Sequence, residues 1–131
     1  MPLDLNSQFA LHARALSVAS QRMKLLADNL ANADTPHYKA RDIDFQAAMQ
    51  TAGDGQLALQ TDRPGHIPAG GNPNRAEVLY RVPEQPSMDG NTVDAQKETS
   101  AIAETAVRYQ ATLTFLNARI RGLRLAITGG R

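Results

Sequence analysis

Leu30-Ala31-Asn32-Ala33-Asp34-Thr35-Pro36-His37-Tyr38-Lys39-Ala40-Arg41-Asp42-Ile43-Asp44-Phe45 is where one kind of backbone must give way to another. Asn and Asp side chains compete for nearby backbone hydrogen bonds, which weakens a helix over Asn32–Asp34. Pro36 pushes Thr35 out of the helical region and has no N–H to give to a helix ladder. After the turn, Arg41, Ile43 and Phe45 alternate with Asp42 and Asp44, a period of two rather than 3.6. The expectation is a long helix ending near residue 34, then extended chain through Phe45.

Upstream, Asp4, Asn6 and Ser7 can each cap a helix. A heptad stripe follows: Phe9, Leu16, Met23 and Leu30 at one position, His12, Ala19, Leu26 and Ala33 at the other. Four repeats are enough for a coiled-coil-like seam. Ala10, Ala13, Ala15 and Ala27 keep the remaining surface low, so more than one helix can approach. Met23 and His12 read as packing residues in this seam rather than ligands.

The other end of the chain carries a stronger stripe. Ala106, Leu113, Ile120 and Ile127 recur every seven residues, and Ala95, Ile102, Tyr109, Leu116 and Leu123 fill the second position. Asn91, Thr92 or Asp94 caps this helix and Gly129 stops it. It should run from about residue 94 to residue 127, on the order of 50 Å at ~1.5 Å per residue. Gly122 inside it costs about 1 kcal/mol relative to Ala, which close contact with a neighbour would offset.

Residues 53–90 hold six Gly and five Pro in 38 positions, so no long helix persists there. Two strand-like pieces remain, Gln56–Thr61 and Glu77–Val82. They can pair as a hairpin with a wide loop or lie along other subunits. Asp62-Arg63-Pro64-Gly65 and Gly70-Gly71-Asn72-Pro73-Asn74 read as turns. The Gly70-Gly71 pair lacks the following helix and the Lys-Ser/Thr that a phosphate loop needs.

The fold expected is therefore mainly α. Residues 1–34 form an N-terminal helix, 35–92 an extended segment with short strands and a Gly/Pro-rich loop, and 93–131 a C-terminal helix. The two helices pair antiparallel, seam to seam, in a coiled-coil-like arrangement. Such a pair covers only part of its apolar surface. Phe9, Leu11, Leu25, Leu26, Val107, Phe115 and Leu125 should stay partly exposed, which marks an interface.

Composition narrows the function. Aromatic residues make up 5% of the chain and Trp is absent, which suits thin helical seams rather than a thick core. The absence of Cys rules out disulfides, thiolate metal sites and thiol nucleophiles. His12, His37 and His66 lack metal-ligand spacing. Asp42 and Asp44 have no nucleophile or metal set near them in sequence, so they are expected to pair with Arg or Lys. No enzyme, cofactor, small-molecule substrate or nucleic-acid partner is expected. The net charge of +1 argues against a general polyanion binder. Residues 94–131 carry six Lys/Arg against three Asp/Glu, and residues 41–93 four against seven. Offsets of this size fit solvation of exposed faces. Nothing at the start reads as a secretory signal, and no apolar run approaches the ~20 residues of a membrane span.

Asn29, Ala31, Asn32, Thr35 and Tyr38 match the Asn-x-Ala-Asn-x-x-Thr-x-Gly-Tyr/Phe signature of the bacterial flagellar rod and hook family, which the chain resembles. Seventeen residues in order, Asn29 to Phe45, with Pro36, Arg41 and Asp42 among them, narrow the likeness to its proximal-rod branch. It continues in Leu57-x-Leu59-x-Thr61, His66-Ile67, Tyr80-Arg81-x-Pro83-x-Gln85-Pro86-Ser87 and Asp89-Gly90-Asn91-x-Val93-Asp94. His37 stands where the family has Gly. If the turn needs a positive φ there, His costs roughly 1 kcal/mol. The resemblance implies a structural subunit of a helical, hollow rod that transmits torque and passes export substrates. The implied partners are other rod proteins, a rod adaptor, the inner-membrane ring and the export gate. The implied location is the basal body in the periplasm, reached by type III export without a cleaved signal. Helix-packing and subunit-interface residues are then Phe9, Leu16, Met23, Leu26, Leu30, Ile102, Tyr109, Leu113, Leu116, Ile120, Leu123 and Ile127. A soluble coiled-coil adaptor with one partner helix is the alternative.

Overall fold

The structure, a computed structural model, describes residues 5–53, 76–85 and 87–129. Five elements follow in order: α1 (Leu5–Ala31), β1 (Arg41–Ile43), α2 (Phe45–Gly53), β2 (Val78–Tyr80) and α3 (Ala95–Thr128). Helix α3 packs against α1, α2 and β1 also lie on α1, and β1 pairs with β2. Asp4, the Gln56–Thr61 strand, His66 and the turns at 62–65 and 70–74 lie outside the described residues.

The ends of α3 obey local chemistry. Of the three candidate caps, Asp94 is the one used: its carboxylate accepts from the backbone N–H groups of Gln96 and Lys97. Gly129 closes the helix in the left-handed region at φ 69 and donates its N–H to Leu125 O.

The period-two reading beyond Pro36 holds only for three residues. Chain expected to stay extended through Phe45 turns instead into α2. Asp44 is the reason: its side chain accepts from Ala47 N at 3.0 Å and its carbonyl from Ala48 N at 3.0 Å, a helix N-cap. Phe45, Ala48 and Met49 then share the face toward α1 by i, i+3, i+4 spacing. The residues after the cap, Gln46-Ala47-Ala48-Met49-Gln50, are good helix formers.

Strand pairing also differs from expectation. The described part of the later strand, Val78–Tyr80, does pair, but with β1. The register is Arg41↔Tyr80, Asp42↔Leu79 and Ile43↔Val78, antiparallel. Arg81 N extends the ladder to Ala40 O at 2.9 Å.

This small hairpin and α2 cover a second face of α1. Val18, Ile43, Ala48 and Ala76 form the buried cluster, with Leu25 and Phe45 packed against it. Val18 belongs to neither heptad stripe. Leu26, expected to stay partly exposed, is fully buried, as is Ala19 seven residues before it. Leu25, expected alike, is half-buried against the cluster. The correction has one cause: α1 is flanked on two sides, by α3 and by β1 with α2, not on one.

Truncating Leu26 to Ala should lower stability by about 2–5 kcal/mol. Leu11→Ala, at a position 59% exposed, should change it by less than about 0.5 kcal/mol. Urea unfolding followed by circular dichroism measures both.

Candidate assembly interface

Five polar side chains from four parts of the chain meet beside the α1–α3 contact. Arg22 on α1 grips Asp42 on β1 through two bonds, Nε to Oδ1 at 2.9 Å and a terminal nitrogen to Oδ2 at 3.1 Å. Arg81, just past β2, reaches Asp42 Oδ2 at 2.8 Å and also pairs with Glu98 Oε1 on α3. Glu98 Oε2 accepts from Asn29 Nδ2 at 3.1 Å. The two guanidinium planes suit such forked contacts.

Asn29 is fully buried and serves three bonds. Its amide nitrogen also donates to Arg41 O at 2.7 Å, and its oxygen accepts from Arg41 N at 3.1 Å. The side chain thus pairs with a backbone residue as a neighbouring strand would, which fastens β1 to the end of α1. This is the physical content of the first Asn of the signature. Glu98 is buried completely, and a buried carboxylate is tolerable because both its oxygens are bonded.

Asp42 titrates below the ordinary carboxylate value of 3.8. Burial pushes the other way and is the largest single effect, but the bonds from Arg22, Arg81 and the Ile43 N–H together outweigh it. Arg22 is correspondingly held in its charged form, first by its bond to Asp42.

A second polar joint closes the end of α1. The Asn91 side-chain nitrogen donates to the carbonyls of Asn32, Ala33 and Thr35 at 3.1, 2.7 and 3.0 Å. These carbonyls lie in the turn just past α1, where those of Asn32 and Thr35 also accept from the backbone N–H groups of Thr35 and Tyr38. Asn32 donates to Asp28 O at 2.8 Å, and Thr35 Oγ1 to Asn32 Oδ1 at 3.2 Å. Residues 37–40 are zipped to 89–92: His37 N to Asp89 O, Thr92 N to Tyr38 O, Lys39 Nζ to Gly90 O and Ala40 N to Thr92 Oγ1. Asp89 is held below the ordinary carboxylate value by Ser87 Oγ–H and then the Asn91 N–H.

His37 takes φ 64, so the turn does need the left-handed region at the family's Gly position. Its ring lies over Gly90, where an added Cβ would stand 2.9 Å from His37 Nδ1. Gly90 itself has φ 72, so a side chain there would be both strained and crowded.

Beyond these joints the helices present apolar surface. Of the expected packing residues, Leu26 is buried. Phe9, Leu16, Met23, Ile102, Tyr109, Leu113, Leu116 and Leu123 are half-buried; Leu30, Ile120 and Ile127 are exposed. Along α3 the ridge Ile102-Tyr109-Leu116-Leu123 alternates with Glu98 and Thr105, both buried, and Thr112, half-buried. The companion row in the seam is therefore polar at its start. Thr105 meets the burial by bonding Ala101 O of its own helix at 2.7 Å. Val107 (69%), Phe115 (65%), Leu125 (55%) and Ile127 (84%) face outward. A Cβ added at Gly122 would meet nothing within 4 Å beyond the backbone of its own helix, so no close contact within the described residues offsets the glycine. Of the signature residues, Asn29 is buried, Asn32, Tyr38, Arg41 and Asp42 are half-buried, and Thr35 and Pro36 are exposed.

Residues 9–39 match the family model for flagella basal body rod proteins. A FlgB flagellar basal body rod protein of Cereibacter sphaeroides is 50% identical over 122 residues, covering 93% of this chain and 94% of the relative. The FlgB proteins of Escherichia coli and Salmonella typhimurium are 41% and 40% identical over 133 residues, each covering 96% of both chains. The chain belongs to the FlgB family of flagellar basal body rod proteins. FlgB proteins are structural, and the polar joints described above are the framework of such a subunit rather than a reaction centre. Among the described residues no group of His, Asp and Glu is placed to hold a metal ion. No helix there is long and apolar enough to cross a membrane.

Arg22, Arg81 and Glu98 had no signal in local pattern reading, and Asn91 read only as a candidate cap for α3, whereas its side chain bonds the carbonyls past α1. Their partners lie 17 to 69 residues away, and periodicity reports only nearer neighbours. The match at Tyr80-Arg81 and Asp89–Asp94 pointed to their neighbourhood without a role.

Because the Asp42 value is lower in the fold than in the unfolded chain, its contribution is present above pH 3.8 and lost as pH falls through the folded value. Asp42→Asn should cost about 2 kcal/mol near neutrality. It should also flatten the acid limb of stability, measured as urea midpoints between about pH 2 and pH 6. His37→Gly should be neutral or stabilising by up to about 1 kcal/mol, read by thermal unfolding.

Proposed function

We propose that this FlgB-family chain is a structural subunit of the proximal rod of the flagellar basal body, built into a hollow helical array through α1 and α3. The carrying observation is the apolar surface that α3 keeps outside its own fold: Val107, Phe115 and Leu125 on one side by helical spacing, and Ile127 on the other, in the row of Leu113 and Ile120. Exposed apolar surface of that kind marks an interface. Repetition of one heterologous contact without closure produces a helical assembly.

The two helices act as an antiparallel, coiled-coil-like pair. In support, Asn29 near the end of α1 bonds Glu98 near the start of α3, and Arg22 further back feels the charge of Glu104 further on. Phe9, Leu16, Met23, Leu30, Leu113, Ile120 and Ile127 divide between this seam and the contacts with neighbours. Load passed along the rod spreads over many van der Waals contacts, each small and together large. The neighbours proposed are other rod proteins above, with the rod adaptor, the inner-membrane ring and the export gate below. The subunit reaches the periplasm by type III export without a cleaved signal, and the array lines the export channel.

Leu116→Asp with Leu123→Asp should leave expression intact and block assembly, scored as loss of motility in a strain lacking the native subunit. Phe115→Asp, at a site 65% exposed, should do the same with unchanged circular dichroism. A motile strain carrying either change refutes the proposal.

A further inference from the structure

Strand β2 has two edges, and among the described residues the fold uses one of them: the sheet there holds only β1 and β2. Backbone N–H and C=O groups alternate in direction along a strand of an antiparallel pair. Arg81 N points to β1, where Ala40 O accepts it. Leu79, two residues back and opposite Asp42, points the same way, so Val78, Tyr80 and Val82 aim their backbone groups outward. The far edge of β1 is different, because the Asn29 amide already bonds Arg41 N and O there. The sheet can therefore grow only at β2.

That edge is apolar and unguarded. Val78, Leu79, Tyr80 and Val82 are all exposed, Tyr80 by 74% and Val82 by 85%. Natural proteins blunt an open edge with Lys or Pro, since a bare one is a template for aggregation. Neither residue occurs from Glu77 to Val82, and Pro83, with no N–H to give, ends the usable edge. Residues 54–75 join the end of α2 to Ala76. Both anchors lie beside the sheet on α1. Ala48 of α2 accepts from Arg14, and buried Ala76 donates its N–H to Gln21 Oε1, two helical turns along. Gly or Pro stands at 55, 64, 65, 68, 70, 71 and 73, so Gln56–Arg63 is the one run there of more than two residues without either. Its first part, Gln56-Leu57-Ala58-Leu59-Gln60-Thr61, alternates as a strand does and matches the edge Glu77–Val82 in length.

We infer that Gln56–Thr61 of the same chain is the occupant of this edge, antiparallel to β2. Leu57 lies opposite Tyr80 and Leu59 opposite Val78, which pairs two leucines with two exposed apolar residues on one face. The outward backbone groups of Val78 and Tyr80 bond those of Leu59 and Leu57. Ala58 then stands opposite Leu79, and Gln60 opposite Glu77. The Gly and Pro of residues 62–75 supply the turns that bring the chain back. The sheet is completed with β2 in its middle, and the apolar edge is closed to a foreign strand.

Amide hydrogen exchange of the full native chain, read by NMR, tests this directly. The N–H groups of Leu79 and Arg81 report pairing with β1, and those of Val78 and Tyr80 report the outer edge. Val78 and Tyr80 should exchange within about tenfold of Arg81. A Tyr80 amide that exchanges more than about tenfold faster than Arg81 would overturn the inference. Leu57→Asp/Leu59→Asp should speed Val78 and Tyr80 about a hundredfold and leave Arg81 within about threefold. Unchanged exchange at Tyr80 in that variant would mean that something else covers the edge, which also overturns it. The full chain has no Cys, so an introduced pair identifies the occupant. Ala58→Cys/Leu79→Cys, oxidised in air, should close a disulfide within one chain, at least about tenfold faster than Ala58→Cys paired with Thr114→Cys, an exposed position on α3. Disulfides mainly between chains would assign the edge to a second copy, and equal rates for the two pairs would leave the strand unplaced; either result refutes the inference. Exchange in the native chain decides the matter even if a variant misfolds.

Discussion

Glu98, a carboxylate closed off from water, sets the terms on which the four parts of this chain come together. Its burial is unfavourable unless both oxygens are bonded, and the two groups that bond them come from opposite directions. Asn29 arrives from the end of α1 and Arg81 from the exit of β2. Arg81 is in turn held by Asp42, and Asp42 by Arg22. A sliding of α3 along α1 would leave a buried charge without a partner. An apolar seam tolerates such a shift far better, so the register of the helix pair rests on the polar end.

That arrangement explains why the molecule has two kinds of helix surface. Near the joint, α1 is flanked by α3 on one side and by the hairpin and α2 on the other, and Val18 and Leu26 are fully buried. Away from the joint the flanking elements run out. Helix α3 continues with Val107, Phe115, Leu125 and Ile127 facing outward. The well-bonded end gives a defined orientation to helices whose remaining surface is the one proposed for contacts with neighbours.

The signature of the family also acquires a mechanical meaning. Asn29 substitutes a side-chain amide for a strand, Asn32 and Thr35 shape the helix exit, and Asn91 from the far side of the chain satisfies three carbonyls there. His37 sits in a left-handed turn that Gly would adopt freely, with its ring over Gly90. The turn is thus a hinge point made rigid by hydrogen bonds rather than by apolar packing.

The Asn29–Phe45 motif carried the likeness to the rod family, and local chemistry in the sequence determined the two terminal helices, the break near Asn32, the stop at Gly129 and the strand near Val78. These depend on caps, proline geometry and periodicity, which act between residues a few positions apart. Helix α2 was legible too, in Asp44 and the helix formers that follow, but a strict alternation over Arg41–Phe45 masked it. Only the tertiary structure decided that β2 pairs with β1, that Val18 is core, and that a polar row carrying Glu98 and Thr105 completes the α3 seam. Each of these rests on partners far apart in the chain, and the free energy of such contacts leaves no periodic trace in the sequence that makes them.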